Sequence, residues 1–205
     1  MSENPTPKSS ITELRKQIRV QLRKARNALS QQQQQEASVK LYQQVIGELK
    51  NINDVALYLA NDGEVSPELL IKHLWQNNKN AHLPVMHSFR KGYLNFQKYE
   101  QGIRLPLNQY GICEPELDSR QTTPLAQIDV ILMPLVGFDA KGNRLGMGGG
   151  YYDRTLNMIH TMENPPQLIG LAHDCQQVEQ LPIEGWDIPL DMIITPTQKI
   201  NTKDN

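Results

Sequence analysis

The sequence predicts an α/β fold, an open and largely parallel sheet flanked by helices and entered through two N-terminal helices. Three observations carry that expectation. Residues 128–135 form an apolar run without alternation, as a strand buried on both faces requires. A second compact apolar run, 55–60, is followed by the turn signature Asn61-Asp62-Gly63-Glu64 and then by a helix start. Past Leu135 the chain leads through a Gly-rich turn into another helical stretch, so strands alternate with helices.

Taken in order, residues 1–9 are polar with two prolines and are expected to be a disordered tail before a single domain over 10–200. A helix is expected from about Ser10, because Ile11, Leu14, Ile18, Leu22, Ala25 and Leu29 recur at spacings of three and four. Arg15, Arg19, Arg23 and Arg26 run beside that stripe. They read as a solvated basic face, or as a face from which one or two arginines reach an anionic ligand. Ser30 with Gln33 is a capping box for a second helix, whose buried face is expected from Leu41, Val45, Ile46 and Leu49.

After the run at 55–60, Ser66-Pro67-Glu68 sets a capping serine, a proline and an acid at a helix start. Loops past strand ends hold ligands in such folds, which makes Glu64 a candidate substrate contact. Residues 81–86 and the alternating 93–99 read as further strands. Residues 101–127 carry Pro106, Pro115 and Pro124 and read as a long loop, in which Tyr110 is available to stack on a flat heterocycle. Further strands are expected at 168–172 and at the end of 186–195. His173-Asp174 is a single pair and makes no metal site.

The stretch at 144–154 stands out, with four glycines in five residues between Arg144-Leu145 and Tyr151-Tyr152-Asp153-Arg154. Glycine costs entropy in any ordered element, and close approach of a ligand to the backbone is one reason to concentrate it. The stretch is not a P-loop, since no Gly-Lys-Ser/Thr follows, and it lacks the third glycine of the dinucleotide fingerprint. Arg144 and Arg154 are expected to meet phosphate oxygens, and Asp153 a divalent cation that such phosphates carry. Residues 151–160 are expected to form the helix that follows.

Composition narrows the classes. A formal charge of −1 argues against a general nucleic-acid or membrane-surface binder. No apolar run reaches membrane-spanning length, and the N-terminus lacks a signal-peptide core. Cys113 and Cys175 fit no metal or redox spacing and read as buried or half-buried thiols in a reducing compartment. A cytoplasmic protein is expected, a monomer with neither nucleic acid nor membrane as partner.

The segment Leu135-Val-Gly-Phe-Asp139 followed by Gly142-Asn-Arg-Leu-Gly-Met-Gly-Gly-Gly-Tyr-Tyr-Asp-Arg154 resembles the signature of the 5-formyltetrahydrofolate cyclo-ligase family. Arg15-Lys-Gln-Ile-Arg19 resembles that family's opening basic helix, Tyr110-Gly-Ile-Cys-Glu-Pro115 its Tyr-Gly-Ile-x-Glu-Pro segment, and Trp186-Asp187-Ile-Pro-Leu-Asp191 its closing segment. The resemblance covers nearly the whole chain. It implies the open sheet of sugar-phosphate isomerases and CoA transferases. It also implies ATP-dependent, magnesium-dependent closure of 5-formyltetrahydrofolate to 5,10-methenyltetrahydrofolate. In that reaction the formyl oxygen attacks the γ-phosphate, N10 attacks the activated carbon, and phosphate leaves.

The resemblance further implies that Arg15, Lys16, Gln17, Ile18 and Arg19 bind ATP together with Arg144, Leu145, Gly146, Met147, Gly148, Gly149, Gly150, Tyr151 and Tyr152. It places Leu59, Glu64, Tyr110 and the segment from Met147 through Gly148, Gly149 and Gly150 to Tyr151 at the folate. Asp153 and Asp187 fall on magnesium. Met147 and Gly149 stand where some members carry basic residues, so backbone would meet phosphate there. Two rival readings are a sugar-phosphate isomerase, which needs an acid–base constellation not evident here, and a nucleic-acid binder using the basic first helix.

Overall fold

The computed structural model describes residues 7–202, with side chains from residue 11 onward. Helix α1 spans Pro7–Asn27, so it takes in residues 7–9 of the expected tail, while 1–6 lie outside the described residues. Only Leu22 and Arg26 of its described side chains are buried, and Leu14 is 47% exposed, so α1 lies on the molecule rather than in it. Helix α2, Gln31–Val45, begins at the expected capping box: Gln33 N–H donates to Ser30 Oγ at 3.2 Å, and Ser30 N–H to Gln33 Oε1 at 2.8 Å. Its buried face is Ala37, Leu41 and Val45, with Leu49 just beyond.

Strand β1 (Asp54–Ala56), helix α3 (Glu68–Gln76) and strand β2 (Asn80–Met86) form the first crossover unit. The N-cap position falls on Pro67 rather than on Ser66, one residue later than expected, while Ser66 Oγ accepts the Glu68 N–H at 3.3 Å from just before the helix. Strands β3 (Leu94–Lys98) and β4 (Thr122–Thr123) follow, then β5 (Val130–Pro134), the short pair β6 (Gly137–Phe138) and β7 (Arg144–Leu145), and helix α4 (Tyr151–Leu156). Strands β8 (Gln167–Leu171), β9 (Met192–Ile194) and β10 (Lys199–Asn201) complete the chain.

The main sheet runs β10-β9-β8-β5-β1-β2-β3-β4. β1, β2, β5, β8 and β9 are parallel, β3 and β10 run antiparallel to them at the two sides, and β4 pairs antiparallel with β3. From β1 the chain builds toward β2 on one side; from β5 it builds toward β8 and β9 on the other. β1 and β5 therefore adjoin at the point where strand order reverses, and the loops past their carboxyl ends flank a crevice.

Alternation along β5 divides the core. Val130 and Leu132 face a cluster with Leu41, Leu70 and Leu74 from α2 and α3. Ile131 and Met133 face the opposite cluster with Phe138, Leu156 and Ile188. Both faces are covered, which is why β5 is apolar throughout.

Two further features depart from expectation. α4 stops at Leu156 and a 3₁₀ turn, Ile159–Thr161, follows, because Leu156 and Ile159 are the buried positions of the segment and supply about one turn of apolar face. Cys113 and Cys175 are exposed rather than buried, since Cys113 lies in the 101–121 loop and Cys175 on a one-turn 3₁₀ helix, both outside the two cores.

Candidate active site

A cleft of about 940 Å³ opens at this crevice. α1 forms one wall, with Thr12, Arg15, Arg19 and Arg23 lining it. Those positions recur at three and four, which a helix of 3.6 residues per turn brings to one side. Lys16, Gln17 and Ile18 are thereby turned away, and Lys16 instead pairs with Glu13 at 3.8 Å. Arg144 lines the cleft, whereas Leu145, its neighbour in β7, is 1% exposed and lies outside the cleft lining. The remaining expected ligand residues, Leu59, Glu64, Tyr110 and Gly146 through Tyr152, all line the cleft, as do Asp153 and Asp187.

The arginines of α1 reach different parts of the cleft in order. Arg15 forks onto Asp187, Nη1 to Oδ2 at 2.5 Å and Nη2 to Oδ1 at 2.9 Å, and Nη1 also donates to Pro182 O at 3.1 Å. Arg19 Nε donates to Gly146 O at 2.8 Å. Arg23 Nε and Arg26 Nη2 both donate to Asp62 Oδ2, at 2.7 and 2.8 Å. Arg26 is fully buried and also binds Asp62 O at 2.8 Å and Leu135 O at 3.1 Å. The basic stripe is thus not a solvated face at Arg26. Asp62, gripped first by Arg23 and then by Arg26 and Asn27, has its carboxyl held down to about 2.

Among the cationic residues lining the cleft, Arg19 alone has no acid within ion-pair distance among the described residues. Burial and the neighbouring Arg15 lower its pKa. A desolvated guanidinium held near another cation is ready for an anion. It lies against the glycine stretch, where Gly148 at φ 99° and Gly150 at φ 63° use backbone that other residues rarely adopt. Arg154, expected at phosphate, lies outside the lining: its Nε donates to Gly92 O at 2.9 Å, and its Nη2 donates to Gly149 O.

At the other end stands Glu64, with its side chain 13% exposed and 4.0 Å from Arg26. Burial raises its carboxyl to about 7, even though the Asn61 N–H and Arg26 pull the other way. Tyr58 and Tyr152 lie near it, and burial pushes both phenols up. Tyr110 and Tyr151 meet hydroxyl to hydroxyl at 2.8 Å.

A cleft lined by the α1 arginines and the glycine stretch, with a buried acid at its other end, accords with comparison to known proteins. The model of the 5-formyltetrahydrofolate cyclo-ligase family matches residues 11–196. The chain belongs to this family. A 5-formyltetrahydrofolate cyclo-ligase of Haemophilus influenzae is 46% identical over 181 residues, covering 87% of this chain and 96% of the relative. One of Escherichia coli K12 is 44% identical over 180 residues, covering 86% and 97%. The solved 5,10-methenyltetrahydrofolate synthetase of Aquifex aeolicus superposes with a TM-score of 0.79 at 28% identity, covering 94% of each chain.

For a cyclo-ligase family member the two acids expected at magnesium differ in availability. Asp153 Oδ1 takes Arg144 Nη2 at 2.5 Å and the Ile188 N–H at 3.4 Å, and its Oδ2 has no hydrogen-bond partner among the described residues. Asp187 has both oxygens in the Arg15 fork, and Oδ2 also takes the Glu184 N–H at 2.9 Å. Burial would raise the Asp187 carboxyl, but Arg15 and the Glu184 N–H outweigh it and hold the carboxyl down. Among the described residues no three His, Cys, Asp or Glu side chains gather as a metal cage. Magnesium needs no such cage when phosphate and water fill its shell, so Asp153 fits it as it stands, and Asp187 fits it once the Arg15 fork opens.

Sequence reasoning passed over Asp62 and Trp186 as site residues, although both line the cleft. The turn signature Asn61-Asp62-Gly63 was a signal for the first, since an aspartate at φ 49° in a loop past a strand end is unusual. The only signal for Trp186 was its place beside Asp187. No helix among the described residues is long and apolar enough to cross a membrane.

Proposed function

We propose that this chain couples ATP hydrolysis to cyclisation of 5-formyltetrahydrofolate, giving 5,10-methenyltetrahydrofolate, ADP and phosphate. The carrying observation is one cleft with Arg19, which has no acid partner among the described residues, beside the glycine stretch, and Glu64, buried, beyond it. The formyl oxygen bonds to the γ-phosphorus as ADP departs. The N10 lone pair then bonds to the activated formyl carbon, the carbon–oxygen bond breaks, and phosphate leaves with that oxygen. Arg19 and the backbone of Gly146 through Gly150 hold the phosphates, which suits a transfer that needs positioning and charge neutralisation. Glu64, with a carboxyl near 7, is suited to take the N10 proton. Tyr110, Leu59 and Tyr151 supply the apolar and aromatic lining for the folate.

Magnesium belongs to the proposal, held by Asp153 and, on opening of the Arg15 fork, Asp187, where it would neutralise phosphate charge. So does a cytoplasmic monomer without nucleic-acid or membrane partner; the unpaired thiols of Cys113 and Cys175 accord with a reducing compartment.

The test mixes pure protein, 5-formyltetrahydrofolate and Mg-ATP and follows the absorbance of methenyltetrahydrofolate. ATP-dependent appearance of product is expected. Folded protein that forms none refutes the reading.

A further inference from the structure

Five aromatic side chains line the cleft, and four of them are engaged by other groups. The Tyr58 hydroxyl donates to Val65 O at 2.7 Å, and the Arg144 guanidinium lies 5.7 Å from the Tyr152 ring centroid. Tyr110 and Tyr151 share a hydroxyl contact at 2.8 Å, with ring centroids 6.2 Å apart. Trp186 joins none of these. It is 61% exposed, and among the described residues it has no hydrogen bond, ring contact or ion pair.

The backbone under Trp186 is nevertheless fastened. Arg15 binds Pro182 O on one side of it and forks onto Asp187 on the other, and Asp187 Oδ2 closes a turn by accepting the Glu184 N–H. A large aromatic surface is presented at the cleft on a loop held by these contacts, and it has no partner among the described residues.

α1 shows which ligand it faces. Arg15 meets the Trp186 loop, Arg19 meets the glycine stretch, and Arg23 and Arg26 meet Asp62 beside Glu64. From Arg15 to Arg26 the helix advances roughly 16 Å at about 1.5 Å per residue. In the cyclisation proposed above, on which this inference rests, the γ-phosphate must lie toward the folate. The rest of the nucleotide then extends past Arg19 toward Arg15.

We propose that Trp186 stacks on the base of the bound nucleotide and so sets selection for a nucleoside triphosphate over bare polyphosphate. Base–indole stacking needs only an open π-face and tolerates any orientation of hydrogen-bonding edges. Its loss on truncation to alanine weakens binding by about tenfold or more.

Trp75 is the other of the two tryptophans and packs on Tyr99 at 5.1 Å. A Trp75→Phe protein therefore reports on Trp186 alone. Titration with Mg-ATP is expected to change its fluorescence, and titration with inorganic tripolyphosphate to leave it nearly constant. In the otherwise native protein, Trp186→Ala is expected to weaken Mg-ATP binding about tenfold by calorimetry. Tripolyphosphate binding and the KM for 5-formyltetrahydrofolate stay unchanged, and Trp186→Tyr restores most of the loss. Equal loss of ATP and tripolyphosphate would assign Trp186 a merely structural role and overturn the inference, as would a rise in the folate KM alone or no change at all. The fluorescence response needs no turnover. A Trp186 signal without product would sink the cyclisation and leave this contact standing; product with no Trp186 effect would do the reverse.

Discussion

Arg26 and Asp62, 36 residues apart in the chain, meet at 2.8 Å with the arginine wholly buried. The same guanidinium holds Leu135 O, past the end of β5. One side chain thereby ties α1 to both loops flanking the crevice. Arg15, Arg19 and Arg23 are placed by that anchorage, and Glu64 stands 4.0 Å from it.

Arg26→Ala removes three hydrogen bonds at once, two to Asp62 and one to Leu135 O, and leaves both acceptors with fewer donors. Breaking a buried pair costs about 3 kcal/mol, which for a chain of this size lowers Tm by roughly 6–12 °C. Arg26→Lys recovers only part of this, since a single ammonium cannot reach both loops as a fork does. Thermal unfolding monitored by circular dichroism measures both variants.

Glu64 makes stability fall with pH. Its carboxyl is raised from 4.5 to about 7, mainly by burial. Between those values the folded protein keeps a proton that the unfolded chain has released. The contribution is therefore complete below about 4.5 and lost as pH rises through about 7. A shift of this size corresponds to about 3 kcal/mol. Glu64→Gln should remove that dependence and be more stable than wild type above neutrality. Urea unfolding of both proteins across pH 4–9 tests this, and parallel curves would contradict the raised pKa.

Asp153→Asn keeps an oxygen that can accept Arg144 Nη2 but loses the charge of the free Oδ2. The fold should survive with a Tm near wild type. Turnover should fall about tenfold or more, with a higher magnesium requirement. Initial rates against magnesium concentration measure it, and wild-type rates would remove Asp153 from the metal site.

Arg19→Ala deletes the guanidinium that lacks an acid partner. The KM for ATP should rise about tenfold to a hundredfold, the worth of a charge-assisted hydrogen bond. The KM for the folate should move less. Steady-state kinetics with each substrate varied in turn decides it; a larger change for the folate would contradict the placement.

Much of this was legible in the chain because it is written within a few residues. The capping box of Ser30 and Gln33 closes across three residues, and the apolar run of β5 reports burial on both faces wherever the strand ends up. The motif from Leu135 to Arg154 marked the family, and the glycines marked a close approach. β4, β6, β7 and β10 were not legible, since two or three residues carry no periodicity to read.

By itself the sequence determined the alternation of strands and helices, the basic stripe of α1 and the glycine stretch with its acid. All depend on side chains that are neighbours along a turn or a strand. Tertiary structure alone decided which arginine is buried, which is gripped by an acid and which, among the described residues, has no acid partner. Asp62 reaches Arg26 across 36 residues, and Asp187 reaches Arg15 across 172. Those partners are chosen by how β1, β5 and the closing loop meet at the sheet's reversal point. Spacing put Arg15 and Arg19 on one face, but only packing gave Arg15 an acid and set Arg19 against the Gly146 carbonyl.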